Sequence, residues 1–166
     1  MKTTFESMSK EEADALRKEI AKKIIYQKQW VVPGKPKHIY HGSPNRITEF
    51  ELRKHYLADD EAVIFGTPNR SLAITFLAYW RDYDFKQSVK DGVIYMEEQY
   101  PNALEKVYKG KVGFLYEFEP YTFNWEPQLM RSEYISRVLP RVLHIEQIDV
   151  YREILKEIGE GRIIVS

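Results

Sequence analysis

Apolar and polar positions follow two different periods along this chain, and each change of period marks an element. From Ala13 the apolar residues recur at helical spacing, with Leu16, Ile20 and Ile24 on one face and lysines and glutamates on the other. Ser9 and Glu12 fit a capping box, and Met8 and Ala13 are spaced to staple it, so the pattern predicts a helix from about Lys10 to Gln27. Val32 to Pro36 reads as a rigid linker. His38-Ile-Tyr-His41 predicts a short strand stopped by Gly42, Ser43 and Pro44. Ile47 to Asp60 reads as mixed loop and short helix, anchored by Phe50 and Leu52.

The sharpest change of period lies between Ala62 and Trp80. Val63, Ile64 and Phe65 are strand formers, Gly66-Thr67-Pro68-Asn69 breaks the run, and Leu72, Ala73, Phe76, Leu77 and Trp80 resume at helical period. Asn69 suits the helix N-cap. A strand that turns tightly into a helix gathers free backbone N–H groups and the aromatics Phe65 and Phe76 around one spot. Tyr79, Trp80, Tyr83 and Phe85 then form an aromatic cluster, and Gly92 to Tyr95 reads as a strand or a loop.

Pro101 to Lys109 suits a helix, with Pro near its start and Gly110 just past its end. Val112 to Glu119 reads as a strand closed by Pro120. Tyr121 to Met130 carries aromatics without a period and is expected to be an exposed functional loop. Ser132 to Ser136 is extended, Arg141 to Val150 a strong strand, Tyr151 to Ile158 a short helix ended by Gly159, and Arg162 to Val165 an edge strand. Strands and helices mix without regular βαβ alternation, which predicts an α+β fold with a mostly antiparallel sheet.

Length and composition narrow this picture. A chain of 166 residues suits a single domain, read as an N-terminal amphipathic helix (1–30) packed on a body (31–166). The 25 basic and 25 acidic residues cancel, so no excess positive field exists to drive nucleic-acid binding by counterion release. Cysteine is absent, which excludes disulfides and thiolate chemistry. No secretory signal, lipidation pattern or apolar run of about 18 residues is visible, so the expectation is a cytoplasmic protein, or an effector delivered by a specialised machine, without a membrane partner. His38 and His41, three apart on a strand, point to opposite faces, and only His55 and His144 could join them, so no metal site is expected.

Three fragments stand in order: Tyr40-His-Gly-Ser43, Phe65-Gly-Thr67 with its helix, and Ser132-Glu-Tyr-Ile135. Together they resemble the ADP-ribosyltransferase fold family, in the branch similar to diphtheria toxin and the poly-ADP-ribose polymerases. The resemblance covers roughly Ile39 to Ile148 and implies a split, mostly antiparallel sheet with flanking helices, to which this chain adds an N-terminal helix. It implies that NAD is bound as substrate. Gly42 would hold the nicotinamide carboxamide through its backbone, and His41 would hydrogen-bond a ribose hydroxyl, with Ser43 helping at the neighbouring ribose. Phe65, beside Thr67, and Phe76 would sandwich the nicotinamide ring. Both aromatic positions are commonly Tyr in the family, and Phe keeps the stacking surface while losing the hydroxyl.

In the same resemblance Glu133 is the catalytic carboxylate, with His41 as its partner residue. Cleavage of the nicotinamide–ribose bond develops positive charge on the sugar, which a fixed carboxylate stabilises while it orients the nucleophile. Arg131 stands where the arginine-modifying branch places a second Glu or Gln, which disfavours arginine as acceptor. The implied activity is mono-ADP-ribosyl transfer to an unknown acceptor: protein, nucleic acid or small molecule. Two other readings remain open at this point, a catalytically silent nucleotide- or protein-binding module of the same fold and an RNA 2′-phosphotransferase.

Overall fold

The computed structural model describes residues 9–27 and 34–166. It is an α+β fold of mostly antiparallel sheets with four α-helices among the described residues. Helix α1 (Lys10–Gln27) has its predicted bounds, and Ser9 Oγ accepts the Glu12 backbone N–H at 3.2 Å, which is one half of the capping box. Lys18 on α1 reaches Asp59 of the body at 2.5 Å. Met8 of the predicted staple, the side chains of Ile20 and Ile24, residues 28–30 of the predicted N-terminal unit, and Val32 and Pro33 of the linker lie outside the described residues.

Three sheets follow. Strand β1 (Ile39–Ser43) pairs antiparallel with β6 (Val112–Phe118), which pairs antiparallel with β9 (Val142–Asp149). A second sheet runs β2 (Arg53–Lys54), β3 (Ala62–Gly66), β8 (Tyr134–Ser136) and β7 (Phe123–Asn124). The third joins β4 (Phe85–Lys90) and β5 (Val93–Glu98) as a hairpin, with β10 (Ile163–Val165) added parallel to β5. The segment from Phe85 to Glu98 is thus a two-stranded ribbon: of the two readings left open for Gly92 to Tyr95 the strand holds, as β5, and β4 before it carried no signal in the sequence. Asp91 and Gly92, both at positive φ, make its turn. An isolated bridge, Tyr40 to Thr67, links the first two sheets.

Helix α2 (Arg70–Thr75) covers that junction. Asn69 caps it, its side-chain oxygen accepting the Leu72 N–H at 3.1 Å. The period predicted a helix through Trp80, but α2 ends at Thr75. The Thr75 carbonyl is taken at 2.8 Å by the Trp80 indole N–H and at 2.8 Å by the Tyr108 hydroxyl, so one nearby and one distant side chain close the helix instead of a further turn. Phe76 becomes the C-cap residue.

Two glycines let α2 and its exit lie flat on the first sheet. A Cβ on Gly42 would meet the Ala73 carbonyl oxygen at 2.0 Å, and one on Gly113 would meet Leu77 at 2.5 Å. Helices α3 (Ala103–Tyr108) and α4 (Val150–Gly159) complete the main core with Leu72, Leu77, Phe85, Ile94, Tyr108 and Ile154. On the opposite face of β1 and β6, Ile39, Tyr116, Phe118 and Phe123 form a second cluster.

The segment 121–130 departs from the exposed loop that its lack of period predicts. Phe123 is fully buried in strand β7 against Phe118, and Trp125 is half-buried; Tyr121 stays exposed. Among the described residues no helix is long and apolar enough to cross a membrane.

Candidate functional site

A cavity of about 530 Å³ opens where β1 and β3 part beyond the Tyr40–Thr67 bridge. Its floor is Tyr40, His41 and Gly42 from β1, with Phe65, Gly66 and Thr67 from the end of β3. Leu72, Ala73 and Phe76 of α2 and its cap, followed by Tyr79 and Trp80, form one wall. His55, Tyr56, Met130 and Glu133 form the other.

The strand geometry decides where the backbone of β1 points. Tyr40 exchanges both backbone hydrogen bonds with Thr67, at 2.7 and 2.9 Å, so its N–H and C=O face away from β6. Backbone groups two residues apart on a strand face the same way, so Gly42 turns its N–H and C=O into the opening beyond that bridge. Edge position and the absence of a side chain leave a paired donor and acceptor open to a planar amide.

His41 sits on the other pleat, against Phe50, Tyr116 and Phe118, with ring centroids 5.7, 6.4 and 5.8 Å away. Its Nδ1 lies 2.8 Å from the Phe65 carbonyl oxygen. A carbonyl only accepts, so the proton resides on Nδ1 and Nε2 carries the lone pair. Burial pushes the imidazole below its ordinary pKa, and the Phe65 hydrogen bond opposes this only in part. A neutral ring with Nε2 as acceptor is suited to a hydroxyl donor.

Glu133 precedes β8, whose Tyr134 and Ile135 pair with Gly66 and Phe65. The Met130 carbonyl accepts both the Glu133 backbone N–H and the Trp125 indole N–H, each at 2.9 Å, so Trp125 shapes the turn that carries the carboxylate. Burial raises the Glu133 pKa; a hydrogen bond from the Met130 backbone and the attraction of His55 pull it back. The result is a partly desolvated carboxylate at the cavity wall, poised to stabilise positive charge or accept a proton.

The aromatic walls are already partnered. Phe76 stacks on Trp80 with ring centres 5.7 Å apart and planes 10° apart, and it remains 44% exposed, so one face is open to a flat ring. Phe65 meets the His55 ring edge-on at 4.6 Å.

Six of the residues singled out in the sequence, His41, Gly42, Phe65, Thr67, Phe76 and Glu133, therefore line one cavity. Ser43 does not: it is buried, and its Oγ accepts the Asn45 N–H at 3.1 Å to close the turn after β1. In this structure the Ser43 hydroxyl serves that turn. Tyr40, His55, Tyr56, Tyr79, Trp80 and Met130 line the same cavity and were not assigned to it from the sequence. Trp80 and Tyr79 had a signal, the aromatic cluster after the turn; His55 and Tyr56 had none, because a turn far from the motifs brings them in. Among the described residues no group of three or more His, Asp or Glu is placed to hold a metal ion. No protein family, curated protein or solved structure matches this chain.

Proposed function

We propose that the chain is an NAD-dependent mono-ADP-ribosyltransferase built on an ADP-ribosyltransferase-like split sheet. The observation that supports it best is the meeting of Gly42, His41 and Glu133 at one cavity that also has an open aromatic face in its wall. Gly42 offers a backbone donor and acceptor matched to a carboxamide. The Phe76 face, backed by Trp80, suits the nicotinamide ring, and Nε2 of His41 can accept a hydrogen bond from a ribose hydroxyl.

The chemistry then follows from charge. The bond between the ribose C1′ and the nicotinamide nitrogen breaks, and its electron pair leaves with nicotinamide as the neutral molecule. Positive charge develops on the ribose, and Glu133 stabilises it from a site where burial strengthens the interaction. The acceptor forms its bond to C1′, and its proton passes to Glu133. Water in place of the acceptor gives NAD hydrolysis.

The test is nicotinamide release from NAD by wild type and by Glu133→Gln, together with NAD binding to each. Release is expected to fall about 10²–10³-fold in the variant, the scale for losing one preorganised electrostatic group, while binding persists. NAD binding without release in the wild type would instead identify a silent nucleotide-binding module.

A further inference from the structure

Strand β9 is a sheet edge: β6 pairs with one side of it, and among the described residues no strand pairs with the other. It runs over eight residues, and every one from Leu143 to Gln147 is exposed, although Leu115 and Tyr116, their partners on β6, are buried. Leu143 and Ile145 are 51% and 40% exposed. Edges of this length are commonly blunted by Lys or Pro, and β9 has neither from Val142 to Asp149.

The Tyr40–Thr67 bridge fixes which backbone groups of β9 point outward. Tyr40 turns its hydrogen bonds away from β6, so its partner Glu117 turns its own towards β9, where it opposes His144. Directions alternate from there. His144 and Glu146 bond to β6, while Ile145 and Gln147 present N–H and C=O groups at the open edge. The Val150 N–H, which donates to the Lys111 carbonyl at 3.1 Å, continues the same alternation.

We infer that the outer edge of β9 pairs with β9 of a second copy of this chain, antiparallel about a two-fold axis at Ile145. Such an axis sets each residue opposite one equally far from it on the other side. At Ile145 the two outward-facing backbones exchange hydrogen bonds, and the two side chains meet. On the other face His144 of each copy opposes Glu146 of the other, so an imidazole meets a carboxylate twice. Moving the axis by one residue sets His144 against His144, or Glu146 against Glu146. The side chains therefore select the Ile145 register.

Within the chain, Arg70 engages Glu146 through Oε2 at 3.3 Å, so Oε1 is the atom that meets the imidazole. Glu117, opposite His144 on β6, is held by His38 at 2.8 Å. Strand β6 separates β9 from β1, so the pairing leaves the cavity of each copy open and stands apart from any NAD chemistry.

The test uses the intact chain, which has no cysteine of its own. Sedimentation equilibrium of the wild type is expected to show a reversible dimer below about 1 mM. Residues opposed in a hydrogen-bonded pair stand about 5.5 Å apart at Cα, within disulfide reach. Ile145→Cys is therefore expected to form a disulfide-linked dimer under oxidised glutathione. Gln147→Cys is expected not to, because the two copies of that position lie about 13 Å apart along the strands. His144→Lys, a permanent charge facing Glu146, is expected to tighten the dimer about 2- to 30-fold, each change counting twice across the axis. Ile145→Lys sets like charges face to face on the axis and is expected to abolish it. A wild type that stays monomeric up to about 1 mM overturns the inference, as does cross-linking of Gln147→Cys as fast as Ile145→Cys. A dimer that Ile145→Lys leaves intact belongs to another surface and overturns it equally. If circular dichroism shows Ile145→Lys unfolded, the two cysteine variants decide the register on their own.

Discussion

The Phe65 backbone carbonyl accepts a hydrogen bond from Nδ1 of His41 across 2.8 Å, and this contact decides what His41 can do. It leaves Nε2 as an acceptor on a buried ring held neutral by desolvation. Because the folded-state pKa is depressed, His41 contributes stability that is present above its unfolded pKa and is lost as pH falls through the folded one. Protonation also replaces the Nε2 lone pair by an N–H. NAD affinity is therefore expected to weaken as pH drops below the ordinary histidine range, and calorimetric titration across that range measures it. His41→Ala, which leaves the Phe65 carbonyl without its partner, is expected to lose about 1–3 kcal/mol of stability. An NAD affinity flat through the acid range would show that His41 does not touch the ligand.

Gly42 is constrained from two directions, by the cavity on its backbone edge and by α2 on its face. A methyl group there would overlap the Ala73 carbonyl, which is backbone and cannot rotate away. Gly42→Ala is expected to cost about 3 kcal/mol or more, the upper part of the range for overpacking. For a chain of this size that corresponds to a fall in Tm of roughly 6–12 °C. Gly159→Ala, at the open end of α4 with nothing within 4 Å, is the control and should leave Tm unchanged or slightly raised. Thermal unfolding of the two variants side by side separates crowding from a generic glycine effect.

Phe76 is exposed on one face and stacked on Trp80 with the other, so its removal costs little in the core. Phe76→Ala is expected to weaken NAD binding by about 1–3 kcal/mol, on the scale of base–aromatic stacking. Phe76→Tyr keeps the ring and should bind NAD as the wild type does. Equal, large losses in both variants, accompanied by lowered Tm, would make the position a packing residue instead.

Trp125 is expected to act on both halves of the reaction. An exposed loop would have made it an acceptor contact whose loss spares NAD hydrolysis. Its indole N–H instead holds the Met130 carbonyl, the same oxygen that accepts from Glu133 N–H. Trp125→Phe, which keeps a ring and removes the donor, should lower nicotinamide release and acceptor labelling together, with a stability loss of about 1 kcal/mol. Labelling that falls alone, with release and Tm unchanged, would return Trp125 to the acceptor surface.

Local signals alone determined several parts of this protein. The capping pattern at Ser9 and the lysine-flanked apolar face set the start and length of α1, and Asn69 set the start of α2, because caps act through neighbours one turn away. The alternation after Val112 and Val142 and the stop at Gly159 placed β6, β9 and α4 within a residue or two. Tyr40-His-Gly, Phe65-Gly-Thr and Glu133 stood out as site candidates only through the family resemblance that their order carries, each being too short a run to point to chemistry by itself. The tertiary structure decided what depends on partners distant in the chain. Tyr108, 33 residues on, joins the nearby Trp80 in ending α2 at Thr75, against the helical period, since two side-chain donors satisfy the carbonyl that another turn would have used. Phe118 and Ser136 draw Phe123 into a strand that its own neighbours do not specify. Ser43 leaves the cavity because the turn after β1 claims its hydroxyl, and His55 enters it because β3 carries the Phe65 ring beneath a turn ten residues earlier in the chain.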